Sequence, residues 1–201
     1  MKTFVALVII FWLNNQSYAQ ENLFMIQNHA YEQVFEKAKK ENKHILLFFH
    51  IDGCGACIKM EKNVFSNLSV LEYLNRNFIY YKINAIKDEG IEINKIYKTQ
   101  SYPTTIVCDT SSTILGNAIG FHTIDEFLSF CERSVNSKTS LAAMRETYMA
   151  GDRSVNFLFE YCHMLYQANE VDSIAVNEYL STQKPDQLRS KDNIQYLCNY
   201  E

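Results

Sequence analysis

The chain has 201 residues, 47% of them apolar, with 13 Phe, 13 Tyr and only two Pro, which excludes a disordered polypeptide and leaves room for one ordinary domain with a small addition. Lys and Arg number 19 against 23 Asp and Glu, a formal charge of −4, so a nucleic-acid partner is not expected. The densest basic run, Lys37, Lys39, Lys40 and Lys43, is balanced by Glu36 and Glu41 and reads as the solvated end of a helix.

The first residues carry the parts of a secretory signal. Lys2 is the positive start, Phe4 to Leu13 is a ten-residue apolar run, and Ser17 and Ala19 flank Tyr18 as small residues at a cleavage site. Residues 1–19 are therefore expected to be a signal peptide, and its removal takes away Lys2 and no acid, moving the charge to −5. The alternative is an uncleaved anchor, but the run is shorter than the ~20 residues a bilayer requires. No cysteine follows the cleavage site to carry a lipid, and no later stretch is apolar enough to span a membrane. The expected location is the periplasm or the exterior, with membrane contact only through the signal segment before cleavage.

Asn28 is a candidate helix cap, and Tyr31, Val34, Phe35 and Ala38 follow on one face. His44 to His50 encloses a continuous apolar run, as in a strand covered on both faces. Asp52-Gly53 then turns the chain into a helix that begins at Cys54 and continues through Ile58, Met60, Val64 and Phe65. Val70, Leu71 and Leu74 suggest a further helical segment, Phe78 to Ile83 a second buried strand, and Ile91, Ile96 and Tyr97 another helix. Pro103 opens a strand running to Cys108, which Ile114 to Ile119 can pair as a hairpin; Phe127, Leu128, Cys131 and Val135 mark a returning helix. Strands alternating with helices imply parallel crossovers before that hairpin. Beyond about Asn136 the pattern turns all-helical, with one stripe at Val155, Leu158, Cys162 and Leu165 and a second at Val171, Ile174 and Tyr179.

Cys54-Gly55-Ala56-Cys57, at a strand-to-helix junction, carries the chemistry. Both sulfurs sit on the first helical turn, where unpaired N–H groups and the helix dipole favour a thiolate on the first, while the second lies behind it to resolve a mixed disulfide. Helical spacing also places Cys54, Cys57 and Glu61 on one face. Asp52 opposes the dipole by like charge. Other readings of these residues are half of a zinc site, an inert structural disulfide, or a copper site completed by His50. Cys108, Cys131, Cys162 and Cys198 are spaced too widely for a disulfide scaffold and read as buried thiols, with a Cys108–Cys131 bridge as the alternative. Asn67-Leu68-Ser69 matches a glycosylation acceptor, a pattern common by chance.

The Cys54-Gly55-Ala56-Cys57 motif after a central strand, followed by Tyr102-Pro103-Thr104, resembles the thioredoxin superfamily over roughly residues 28–135. The run from Cys57 to Phe65 and on through Val70, Tyr73, Leu74, Asn75 and Phe78 is similar to the exported branch that includes the soluble C-terminal domain of membrane thiol:disulfide interchange reductants. The resemblance implies an α/β three-layer sandwich with a central mixed sheet at residues 20–136, and a small all-helical extension at 137–201. It also implies a cis Pro103 facing the dithiol. The chain departs from thioredoxins at three places: Phe48 stands at the buried Asp position six residues before Cys54, Gly53 at the usual Trp, and Gly-Ala between the cysteines.

The expected activity is exported thiol–disulfide oxidoreduction of protein disulfides, with no cofactor beyond the Cys54–Cys57 pair and no resident metal. Cys54 attacks and Cys57 resolves. Glu61, or Lys82 at the position of a lysine beneath the dithiol in thioredoxins, biases the Cys57 proton. Tyr102, Pro103 and Thr104 hold an extended client segment. Partners are protein thiols and disulfides and, by resemblance, a membrane-bound electron donor or acceptor. The alternatives are a binding module using the Pro103 groove, or a copper-handling thiol protein without turnover.

Overall fold

The computed structural model describes residues 31–168, 170, 172–190 and 193. The expected signal segment, the Asn28 cap, Val171 and Cys198 lie outside them. Helix α1 (Tyr31–Glu41) leads into strand β1 (His44–His50), whose burial on both faces matches its unbroken apolar run. Helix α2 (Gly55–Met60) continues as a π turn, Glu61–Phe65, closed by the Ser66 N–H donating to the Glu61 carbonyl five residues back at 3.1 Å. Helix α3 (Leu68–Asn77) starts where the Asn67 side chain accepts from the Ser69 N–H, so the 67–69 triplet serves as a helix cap. Strand β2 (Phe78–Asn84), helix α4 (Glu89–Tyr97), the hairpin β3 (Thr104–Cys108) and β4 (Ile114–Ile119), and helix α5 (Ile124–Val135) complete the first unit. Three helices follow: α6 (Leu141–Met149), α7 (Val155–Gln167) and α8 (Ser173–Ser181).

The sheet order is β2-β1-β3-β4. Strand β1 pairs parallel with β2, His50 opposite Asn84, and antiparallel with β3, Phe49 opposite Thr104. The β2–α4–β3 connection therefore reverses direction instead of making the parallel crossover that helix–strand alternation suggests. Because side chains alternate across a strand, each face has its own layer. Phe49 meets Tyr97, and Tyr81 meets Tyr31, so α1 and α4 cover that face. On the other, Phe48 and Tyr80 pack against Phe65 of the π turn, and Phe65 packs against Phe127 of α5. This is the expected mixed-sheet α/β sandwich followed by helices.

The layering settles the proposed Cys108–Cys131 bridge. Cys108 pairs with Ile45 and turns toward the Tyr97 hydroxyl at 3.8 Å, on the α1/α4 side, whereas Cys131 lies on α5 on the opposite side. Cys108, Cys131 and Cys162 are free and buried. The helix expected at Ile91, Ile96 and Tyr97 is α4, and its buried face is set by other residues. Ile91 and Ile96 are exposed, and α4 instead buries Gly90 and Ile93, because a Cβ at residue 90 would lie 2.0 Å from the Asn84 carbonyl oxygen. Val155 and Ile174 are likewise exposed, while Ala175 and Val176 carry the buried face of α8.

Strand β4 is held from two sides. A Cβ at Gly116 would lie 2.1 Å from the Ser134 hydroxyl, so only glycine lets α5 approach. Next to it, the Asn117 amide donates to the Ala168 carbonyl at the end of α7, 3.0 Å away. Helices α6–α8 have their own core, built on Leu141, Tyr161, Cys162, Leu165, Ala175 and Tyr179, and α6 packs against β4. An open strand edge would invite pairing with other chains, and this packing limits that access.

Phe127 has no exposed surface and joins Phe65 to Phe130. Phe127→Ala is expected to lower unfolding free energy by about 3–5 kcal/mol, read from the urea midpoint at unchanged slope.

Candidate dithiol site

The chain leaves β1 at its carboxyl end through Ile51-Asp52-Gly53. Gly53 has φ +73°, a conformation open to glycine at little cost, and this turn delivers Cys54 as the N-cap of α2. Cys54 and Cys57 are disulfide-bonded, with Cα atoms 5.2 Å apart. Cys54 is half-buried and Cys57 is 1% exposed, so an incoming sulfur can reach only the first. The Cys57 N–H donates to Cys54 Sγ at 3.1 Å, and this contact, with the helix dipole, would favour a thiolate there on reduction.

Facing Cys54 is the Tyr102-Pro103 peptide, which is cis, as the resemblance implied. Cys54 Sγ lies 3.7 Å from the Tyr102 carbonyl oxygen. The Tyr102 hydroxyl is turned away, donating to the Thr99 carbonyl at 3.3 Å and accepting from Asn94 at 3.2 Å, so only its backbone serves the opening. The Pro103 carbonyl accepts from the Gly120 N–H at 2.8 Å, bringing the end of β4 alongside. Thr104 does not reach this surface. It is 1% exposed, and its hydroxyl donates to the Ser101 carbonyl at 2.6 Å.

Glu61 lies one turn after Cys57, its N–H bonded to the Cys57 carbonyl. Its carboxylate accepts from Lys82 Nζ at 2.8 Å. Lys82 is brought there because β2 pairs in register with β1, Lys82 opposite Phe48. Phe48, at the position where thioredoxins carry an aspartate, is fully buried, with its ring 4.8 Å from that of Phe65. The acid near the dithiol is thus carried by the helix and paired with the strand. His50 stacks against Phe48, centroids 6.2 Å apart; burial, reinforced by the Lys82 charge, pushes its imidazole below the ordinary range. Among the described residues, no three His, Cys, Asp or Glu side chains converge as a metal site.

One clamp was not foreseen. Asp52, two residues before Cys54, pairs with Lys87 and accepts from the Asn84 amide at 2.8 Å. Lys87 holds the Asp52 carboxyl below its usual range, and Asn84 adds to this. The signal for it was available: parallel pairing of the two apolar runs sets Asn84 opposite His50, which brings the residues after β2 level with the turn before Cys54.

Residues 31–134 match the thioredoxin-like domain family, and the chain belongs to it. Together, the fold and the Cys54–Cys57 pair support a thiol–disulfide oxidoreductase-like function. The chain is 32% identical over 94 residues to mouse spermatogenesis-associated protein 20, a match covering 42% of this chain and 12% of that protein. It thus spans only a small part of the curated relative's length. Among solved structures, a thioredoxin from Thermus thermophilus is similar at 20% identity and a TM-score of 0.49, covering 54% of this chain and 86% of the other. The oxidised C-terminal domain of DsbD from Neisseria meningitidis is similar at 21% identity and a TM-score of 0.44, covering 51% and 90%.

Burial pushes the Cys108 and Cys162 thiols up to about 12 and raises Cys131 as well. In the reduced, native protein at pH 7, Cys54 is expected to alkylate first, with Cys108, Cys131 and Cys162 reacting only on unfolding; peptide mapping after a short iodoacetamide pulse checks this. The acid side of the stability profile follows from the imidazoles. Burial lowers His44, His50 and His122 in the fold, so below about pH 6.5 the unfolded chain binds protons that the folded chain does not. Stability should fall as pH drops from about 6.5 toward the folded values, and His50→Gln should flatten that fall, as measured by urea unfolding at several pH values.

Proposed function

We propose that the protein is an exported thiol–disulfide oxidoreductase acting on protein disulfides. The observation that carries this reading is the placement of the half-exposed Cys54 sulfur at the start of α2, against the Tyr102 carbonyl, with buried Cys57 behind it. The Cys54 thiolate attacks one sulfur of a client disulfide, forms a mixed disulfide and expels the other client sulfur as a thiolate. Cys57, losing its proton, then attacks Cys54 Sγ. The client's remaining sulfur leaves as a thiolate, and the Cys54–Cys57 disulfide forms. Two electrons pass from the dithiol to the client, and a membrane-bound dithiol is the proposed donor that restores them.

In this reading Glu61, positioned by Lys82, accepts the Cys57 proton in place of the aspartate replaced by Phe48. The Tyr102-Pro103 backbone lines up an extended client segment. Thr104 is left with a supporting role, since its side chain is buried. Export is supported by the composition of residues 1–19, and the protein is expected in the periplasm or outside the cell.

Cys54→Ser should abolish insulin disulfide reduction, whereas Cys57→Ala should accumulate mixed disulfides visible on non-reducing gels. If Cys57→Ala traps no species with a reducible client, the two-step assignment fails. Glu61→Gln should slow release of the mixed disulfide on the order of 10²-fold while leaving the first attack nearly unchanged, read by rapid acid quench across pH. Loss of both steps to the same degree would make Glu61 structural.

A further inference from the structure

The surroundings of the dithiol are not electrically neutral, although the chain as a whole is acidic at −4. The two acids nearest the cysteines in sequence are spent: Asp52 on Lys87 and Asn84, Glu61 on Lys82. Glu126, in the first turn of α5, has its carboxylate bonded to the Thr123 N–H and hydroxyl. The segment that follows Cys57 carries Lys59 and Lys62, both exposed and three residues apart. Among the described residues neither has a carboxylate within ion-pair distance.

Lys59 is also fixed in place. Its ammonium sits 4.0 Å from the centre of the Phe121 ring, a cation–π contact across the gap between α2 and the end of β4. Phe121 follows Gly120, which is bonded to Pro103, which in turn follows Tyr102 against Cys54. A chain of contacts thus carries Lys59 and the Phe121 ring to the rim of the opening where Cys54 is reached. Ile58, beside Cys57, leaves 47% of its surface exposed at the same end of α2. The rim presents apolar surface and the Lys59 ammonium, and Lys62 follows three residues on along the same segment.

We propose that the client is a protein segment with an apolar side chain next to its disulfide cysteine and acidic residues flanking it, docked on Ile58 and Phe121 with its carboxylates toward Lys59 and Lys62. This rests on the oxidoreductase reading and adds the class of substrate. Opposite charge raises encounter rate and disfavours like-charged clients, and salt screens both effects.

The test uses the pre-reduced full-length mature chain and two synthetic peptides. Both carry the same Leu-flanked intramolecular disulfide, one with Glu at the flanking positions and one with Lys. Neutral 2-hydroxyethyl disulfide is the reference. At about 20 mM salt the Glu peptide should be reduced roughly tenfold faster than the Lys peptide, and at about 0.5 M the gap should largely close. The double variant Lys59→Glu, Lys62→Glu should invert the ratio, and Lys59→Met, Lys62→Met should bring it near one. The ratio within one variant cancels any change common to both peptides. Equal rates for the two peptides in the unaltered protein, or a ratio indifferent to the lysine variants, would overturn the docking proposal. If the reference disulfide is still reduced in that case, the oxidoreductase reading stands without it. If none of the three disulfides is reduced, both fall.

Discussion

Five consecutive fully buried side chains, Ile45 to Phe49, hold the rest of the molecule in place. A strand covered on both faces cannot slip by one residue without exchanging its two layers, so its register is strongly specified. From that strand the neighbouring groups take their positions. Lys82 stands beside Phe48 because β2 is parallel and in register, and Thr104 and the peptide before it arrive beside Phe49 because β3 is antiparallel. Cys54 lies just past the strand's carboxyl end. The dithiol is therefore fixed by packing on both sides of the sheet, with few polar contacts of its own.

Around that frame the charges are arranged in pairs. An aspartate two residues before a nucleophilic sulfur would raise the cost of forming a thiolate. Lys87 and Asn84 take up that charge, leaving the helix N-terminus to act on Cys54. Glu61, one turn after Cys57, is likewise paired, with Lys82. Phe48 makes this division necessary: with its ring packed against Phe65, the strand has no room for an acid at that level, and the carboxylate comes from the helix.

Much of this was legible beforehand because it depends on local pattern. The buried run at His44 to His50, the turn at Asp52-Gly53, the cysteine spacing and the helix-face argument for Glu61 each need only a few neighbouring residues. What was not legible depends on direction and depth. Helix–strand alternation implied a parallel crossover into β3, whereas β3 runs antiparallel to β1. The separation of Cys108 from Cys131 by the whole sheet follows only from knowing which face each strand residue takes. Placing Ile91, Ile96 and Ile174 in helices did not say which residues those helices bury: Gly90 takes a buried place because a Cβ there would meet the Asn84 carbonyl, and Ala175 is buried in α8. Thr104, adjacent to Pro103 in sequence, lies in the interior because β3 is covered on both faces.

The π turn at Glu61–Phe65 has one more consequence. A turn that takes in an extra residue resets the angular phase of the helix, so what comes before it and what comes after it need not share a face. At its start, Glu61 reaches Lys82 on β2. At its end, Val64 and Phe65 are both buried, Phe65 among the aromatic rings of the core. With an uninterrupted α-helix the same sequence would have to give up one of these alignments. Removing a single residue from this turn would set the Glu61–Lys82 ion pair and the packing of Phe65 in direct competition, although neither side chain had been changed.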